Sequence, residues 1–202
     1  MATDYRKELL LKLYDSLWKS IHALMGSVWQ SIGVIIGALA LFALVEKNIV
    51  SADIATSIVV IICVWSLACI IDASFWYNRN LAMVANIEKE FLVESDLVNI
   101  HPYFKEHRKN NKMITQFRIQ FCLVVGILLI FLIFHFIHRV VPGLSSPIKN
   151  FEFLKALPYI LTSVLCFVLY KLWEDRKRVY NNFLTRSPGK KINNRCAQNA
   201  PE

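Results

Sequence analysis

From Val28 to Val45 no residue of this sequence carries a charge, and Glu46 and Lys47 close the run. This feature constrains the fold most. As a helix such a run matches the roughly 17 to 25 residues needed to cross a hydrocarbon core, and three similar runs follow. They lie at 54–76, where Asp72 is the only charged residue, at 119–138 between Arg118 and Arg139, and at 156–170 between Lys155 and Lys171. The last is the shortest, but Lys155 and Lys171 can extend their ammonium groups outward, and Leu172 and Trp173 or Phe153 and Leu154 lengthen it. Composition agrees, with 55% apolar and 19% charged residues, where a soluble domain keeps about a quarter charged. The fold class expected is an all-α membrane protein with four transmembrane helices, an amphipathic N-terminal helix and a cytoplasmic extension of the second span.

The formal charge of +8 could suggest nucleic acid, but Lys and Arg also crowd the cytoplasmic flanks of membrane spans, so no nucleic acid is expected. The N-terminal segment carries four such residues, the stretch between spans two and three seven, and the tail eight, against four in the other two loops. Nineteen against four places both termini in the cytoplasm. No cleavable signal peptide is visible, because the first apolar run follows a segment carrying Asp4, Arg6, Lys7, Glu8, Lys12, Asp15 and Lys19. Four of the five cysteines (Cys63, Cys69, Cys122 and Cys166) lie inside apolar runs and Cys196 lies in the tail. None has a partner at metal-ligand spacing, so they read as small buried hydrophobes.

The chain then divides into five parts. Residues 1–26 form an amphipathic helix, with Leu9, Leu10, Leu13, Leu17, Ile21 and Leu24 on one side and Trp18 placed for the headgroup region. Residues 27–77 are a first transmembrane hairpin with spans at 28–45 and 54–76. Residues 78–118 are a cytoplasmic helical region that continues span two until His101-Pro102 breaks it. Its apolar stripe of Leu81, Val84, Phe91 and Leu92 must be covered, by the N-terminal helix or by a neighbouring subunit. Residues 119–173 are the second hairpin, with spans at 119–138 and 156–172. Residues 174–202 form a basic tail, whose Pro-, Asn- and Lys-rich end from Ser187 is expected to be disordered.

Several residues stand out. Gly33 and Gly37, extended by Gly26, Gln30 and Ala40, form a small, partly polar seam on one face of span one. The plain reading is packing within the chain; the sharper one is a subunit contact or pore-lining face that Gln30 makes wet. Asp72 lies inside an apolar run, where a charge is costly; pairing with Arg79 or with another chain's Arg118 is expected. His135 and His138 share a face at helical spacing beside Arg139, a pattern that could bind metal or sense pH. No carboxylate or cysteine adjoins them in sequence, so a polar interfacial belt is the preferred reading and no metal is expected. Arg176, Lys177 and Arg178 adjoin span four and suit anionic lipid head groups. Phosphate-loop, dinucleotide, zinc-protease and nucleophile-elbow motifs are absent, as is an Arg followed five residues later by His. Neither catalysis nor a cofactor is expected.

The stretch from Ile71 through Asp72, Trp76, Asn78, Arg79 and Asn80 to Leu81, then Asn86-Ile87-Glu88-Lys89, and His101-Pro102-Tyr103-Phe104 leading to Arg118-Ile119-Gln120, resembles the RipA family of octameric bacterial membrane proteins over about residues 5 to 175. The resemblance implies a bacterial cytoplasmic-membrane protein forming a ring-like homo-oligomer, an octamer. It supplies no catalytic residues, and it picks out Asp72, Trp76, Asn78, Arg79, Asn80, Asn86 and Glu88 as candidates for an inter-subunit polar ring. Three readings stand open. One is a non-enzymatic homo-oligomer with a structural, scaffolding or pore-forming role. Another is a membrane-permeabilising effector of a bacterial defence system, switched by a cytoplasmic regulatory protein. The third is a small channel or transporter subunit, although the sequence lacks the repeats and broken helices of secondary transporters.

Overall fold

A computed structural model describes residues 2–100, 111–145 and 152–187. Among these residues no strand occurs, and six α-helices follow in order: α1 Ala2–Leu39, α2 Leu41–Glu46, α3 Ala52–Phe91, α4 Asp96–Asn99, α5 Thr115–His135 and α6 Phe153–Arg186. A π-helical turn, Phe136–Val140, and a 3-10 turn, Val141–Ser145, prolong α5. Four helical stretches, Asp4–Glu46, Ala52–Phe91, Thr115–Gly143 and Phe153–Arg186, are long and apolar enough to cross a membrane. The His101-Pro102 break and the tail beyond Ser187 lie outside the described residues.

The N-terminal amphipathic helix and the first span form one helix, because Gly26 does not interrupt α1; an isolated glycine costs a helix only about 1 kcal/mol. The second span likewise continues without a break to Phe91. At 1.5 Å per residue its 40 residues reach about 60 Å, twice a hydrocarbon core of about 30 Å. The α2 helix ends where Asn48 takes φ 56°, with Ile49 N–H bonded to the Leu44 carbonyl and Asn48 N–H to that of Val45. Asn tolerates this left-handed conformation, and the paired bonds satisfy carbonyls that the helix end would otherwise leave free.

The chain forms two compact units, one of residues 27–71 and 113–174, the other of residues 1–26, 72–112 and 175–202. In the first unit, α1 buries Val28, Ile32, Ile35 and Ala38, α3 buries Val59, Val60, Cys63, Leu67 and Ile70, and α5 buries Phe117, Val124 and Leu128. Burial is uneven across the spans: 61% of the most apolar window of α3 is inside, against 6% for α6. The α3 helix is therefore the core strut, while α6 turns Ile160, Val164, Phe167 and Val168 outward. Ser31 donates to the Val28 carbonyl at 2.8 Å, so the 2.9 Å contact with Ser66 has Ser66 as donor. This small polar pair lets α1 and α3 approach closely. Of the four cysteines among the described residues only Cys63 is fully buried; Cys122 and Cys166 face outward from their apolar helices.

In the second unit, Leu10, Tyr14, Leu17, Trp18 and Ile21 of α1 pack on Tyr77, Leu81, Met83, Val84 and Ile87 of α3. The N-terminal helix thus covers Leu81 and Val84, the choice left open by the stripe, whereas Phe91 stays exposed. Trp18 belongs to this apolar contact. Tyr180 of α6 is fully buried and meets Phe75 edge-on, with ring centroids 6.4 Å apart.

Candidate functional site

The first unit carries a buried charged cluster where α3 begins and α5 ends. Asp53, in the first turn of α3, is 3% exposed. Its Oδ1 accepts from His135 Nε2 at 2.9 Å and from Arg139 Nε at 3.2 Å, and its Oδ2 accepts from Arg139 Nη2 at 2.9 Å. His135, 1% exposed, meets the Tyr159 hydroxyl of α6 through Nδ1 at 3.0 Å. One carboxylate therefore joins three helical segments, with a fork-to-fork arginine pair supplying two of its bonds. A buried carboxylate requires such compensation.

Sequence spacing missed this arrangement in two respects. A carboxylate does accompany the histidines, brought from 82 positions away. The two histidines also part company: His135 is buried, while His138 is exposed with its ring 4.3 Å from that of Phe134. The cause is the π turn beginning at Phe136. Its wider turns end the rule that residues three apart share a face, and they carry Arg139, four residues on, to the side of His135. Among the described residues no group of three or more His, Cys, Asp or Glu side chains could hold a metal.

In the second unit, the polar residues singled out on α3 are taken up by the chain itself. Asp72 pairs with Arg176 at 2.6 Å rather than with Arg79, and Arg176 also lies 5.0 Å over the Phe75 ring. Arg79 stacks on Trp76 at 4.8 Å and on Phe183 at 5.6 Å. Asn78, 1% exposed, donates from Nδ2 to Asn111 Oδ1 at 2.9 Å and to the Lys112 carbonyl at 3.0 Å. Asn80 donates to Ser20 Oγ at 3.0 Å, Asn86 to Ser187 Oγ at 3.1 Å, and Tyr14 to Glu88 at 3.4 Å. The α3 helix thus carries a ladder of amide, carboxylate and guanidinium groups whose rungs reach α1, the 111–112 segment and α6. The basic patch divides accordingly. Arg176 turns onto Asp72, Arg178 pairs with Asp175 at 2.6 Å, and Lys177 remains exposed.

The seam on α1 behaves in the opposite way. Gly26, Gln30, Gly33, Gly37 and Ala40 are all exposed, on the side of the helix opposite Val28, Ile32 and Ile35. Beyond the neighbouring backbone of α1 itself, no described atom lies within 4 Å of where a side chain's first carbon would stand at Gly26, Gly33 or Gly37. Among the described residues nothing packs against the glycines of this seam.

No protein-family model, curated protein or solved structure matches the chain. The functional reading rests on these three arrangements.

Proposed function

We propose that this chain is a non-enzymatic, homo-oligomeric protein of a bacterial cytoplasmic membrane, with both termini in the cytoplasm and a structural, scaffolding or pore-forming role. The observation that carries the proposal is exposed Gln30 on a seam of glycines that its own chain leaves bare. A glutamine amide offers two donors and two acceptor lone pairs, and hydrocarbon satisfies none of them. Glycines at this spacing let a second helix approach to backbone distance. A second copy presenting the same face meets both needs, since Gln30 can bond to its counterpart while the glycines admit the neighbouring helix. In a ring of copies the same residue would instead wet an axial opening. The charge distribution supports the orientation, and the resemblance to an octameric family supports a closed ring.

The test is an image of the full-length protein purified in mild detergent, together with ion flux from liposomes. A ring with an axial opening, and flux that Gln30→Leu abolishes, would establish the pore form. A closed ring without flux would establish the scaffold form. A compact single-chain particle would refute both.

A further inference from the structure

In the second unit α3 and α6 each lay an arginine over a phenylalanine of the other. Arg176 of α6 lies 5.0 Å over Phe75 of α3, and Arg79 of α3 lies 5.6 Å over Phe183 of α6 and 4.8 Å over Trp76 of its own helix. The two differ in what meets the guanidinium. Arg176 holds Asp72 at 2.6 Å. Arg79 is partly buried, and among the described residues no carboxylate or other acceptor bonds to it. Its neighbours' acids are engaged elsewhere: Asp72 by Arg176, Asp175 by Arg178 at 2.6 Å, and Glu90 by Arg6 at 2.7 Å. Aromatic rings over a guanidinium leave its in-plane N–H donors to a bidentate acceptor. They also restrict the side chain beforehand, so less freedom is lost on binding.

We infer that Arg79 binds the phosphate of an anionic glycerophospholipid, with Trp76 and Phe183 holding its guanidinium in place. The inference rests on the membrane reading above. In that reading the apolar run of α3 ends at Trp76, and Arg79 follows about 4.5 Å further along the helix. Tryptophan marks the headgroup level, where phosphodiester is the abundant anion, and arginine meets phosphate with two parallel hydrogen bonds. The lipid site of this chain is then Arg79 rather than the Arg176–Arg178 triplet, two of whose members are neutralised by their own chain.

The test is native mass spectrometry of the full chain released from nanodiscs of equal parts phosphatidylglycerol and phosphatidylcholine, counting the lipids retained. The natural chain should keep phosphatidylglycerol over phosphatidylcholine by about fivefold, the worth of one basic residue at an anionic surface. Arg79→Gln should lose that preference, and Arg178→Gln should keep it. If Arg79→Gln does not fold, Arg79→Lys serves instead, since it retains the charge without the fork and should also lose the preference. A natural chain without preference, or a preference that survives in the Arg79 variant, would overturn the site. Displacement of the lipid by inorganic phosphate would overturn a lipid as its ligand. A chain that stays in water without lipid or detergent would overturn the membrane reading as well, whereas an embedded chain without preference overturns the site alone.

Discussion

The C-terminal half of α3 and the exposed face of α1 both carry polar or small residues, yet the chain treats them in opposite ways. On α3, from Asp72 to Glu90, the polar groups meet partners in α1, the 111–112 segment and α6. On α1, Gln30 is exposed, and no described atom beyond the helix's own backbone comes within 4 Å of a first side-chain carbon built at Gly26, Gly33 or Gly37. Polar residues on a membrane protein therefore do not by themselves mark a subunit interface. The candidate interface is the surface whose demands the chain leaves unmet, which here is α1.

This contrast can be sharpened by substitutions that separate folding from assembly. The largest folding effect belongs to Asp53→Ala. Removing the carboxylate leaves Arg139 and His135 without their acceptor, and breaking a buried pair from one side costs about 3–5 kcal/mol; thermal unfolding in detergent should register it. Asn78→Ala comes next. It deprives Asn111 and the Lys112 carbonyl of their donor at a cost of about 1–3 kcal/mol, to be read by the same melt. Asp72→Ala should cost less than about 1 kcal/mol, because that carboxylate is 40% exposed and water screens its pair with Arg176. A large loss at Asp72 and none at Asp53 would reverse this order. Gly33→Leu should leave the melting of the isolated subunit unchanged, since nothing lies within 4 Å of the added carbon.

The four apolar helices were legible because bilayer thickness imposes a length, and charge-free runs of that length stand out in any sequence. The α3 ladder was visible as a set of residues but not as a set of partners. Ser20, Ser187 and Arg176 lie tens of positions away and carry no pairing signal. Asp53 was missed for a related reason. An acid at the start of a helix reads as an ordinary complement to the helix dipole, and only the fold brings it to His135 and Arg139. The pairing of His135 with His138 failed because it assumed an α-helix through Arg139, whereas the turn widens at Phe136. The α1 seam was found by its glycine spacing, but spacing alone could not decide between the chain's own core and another subunit.

The most direct test of assembly through α1 is native mass spectrometry of the full-length protein released from mild detergent, comparing the natural chain with Gly33→Leu and with Asn78→Ala. The natural chain should appear as one closed oligomer and Gly33→Leu as smaller species, while Asn78→Ala should keep the natural subunit number despite its lower stability. A monomer for the natural chain, or an oligomer that Gly33→Leu leaves intact, would contradict the account.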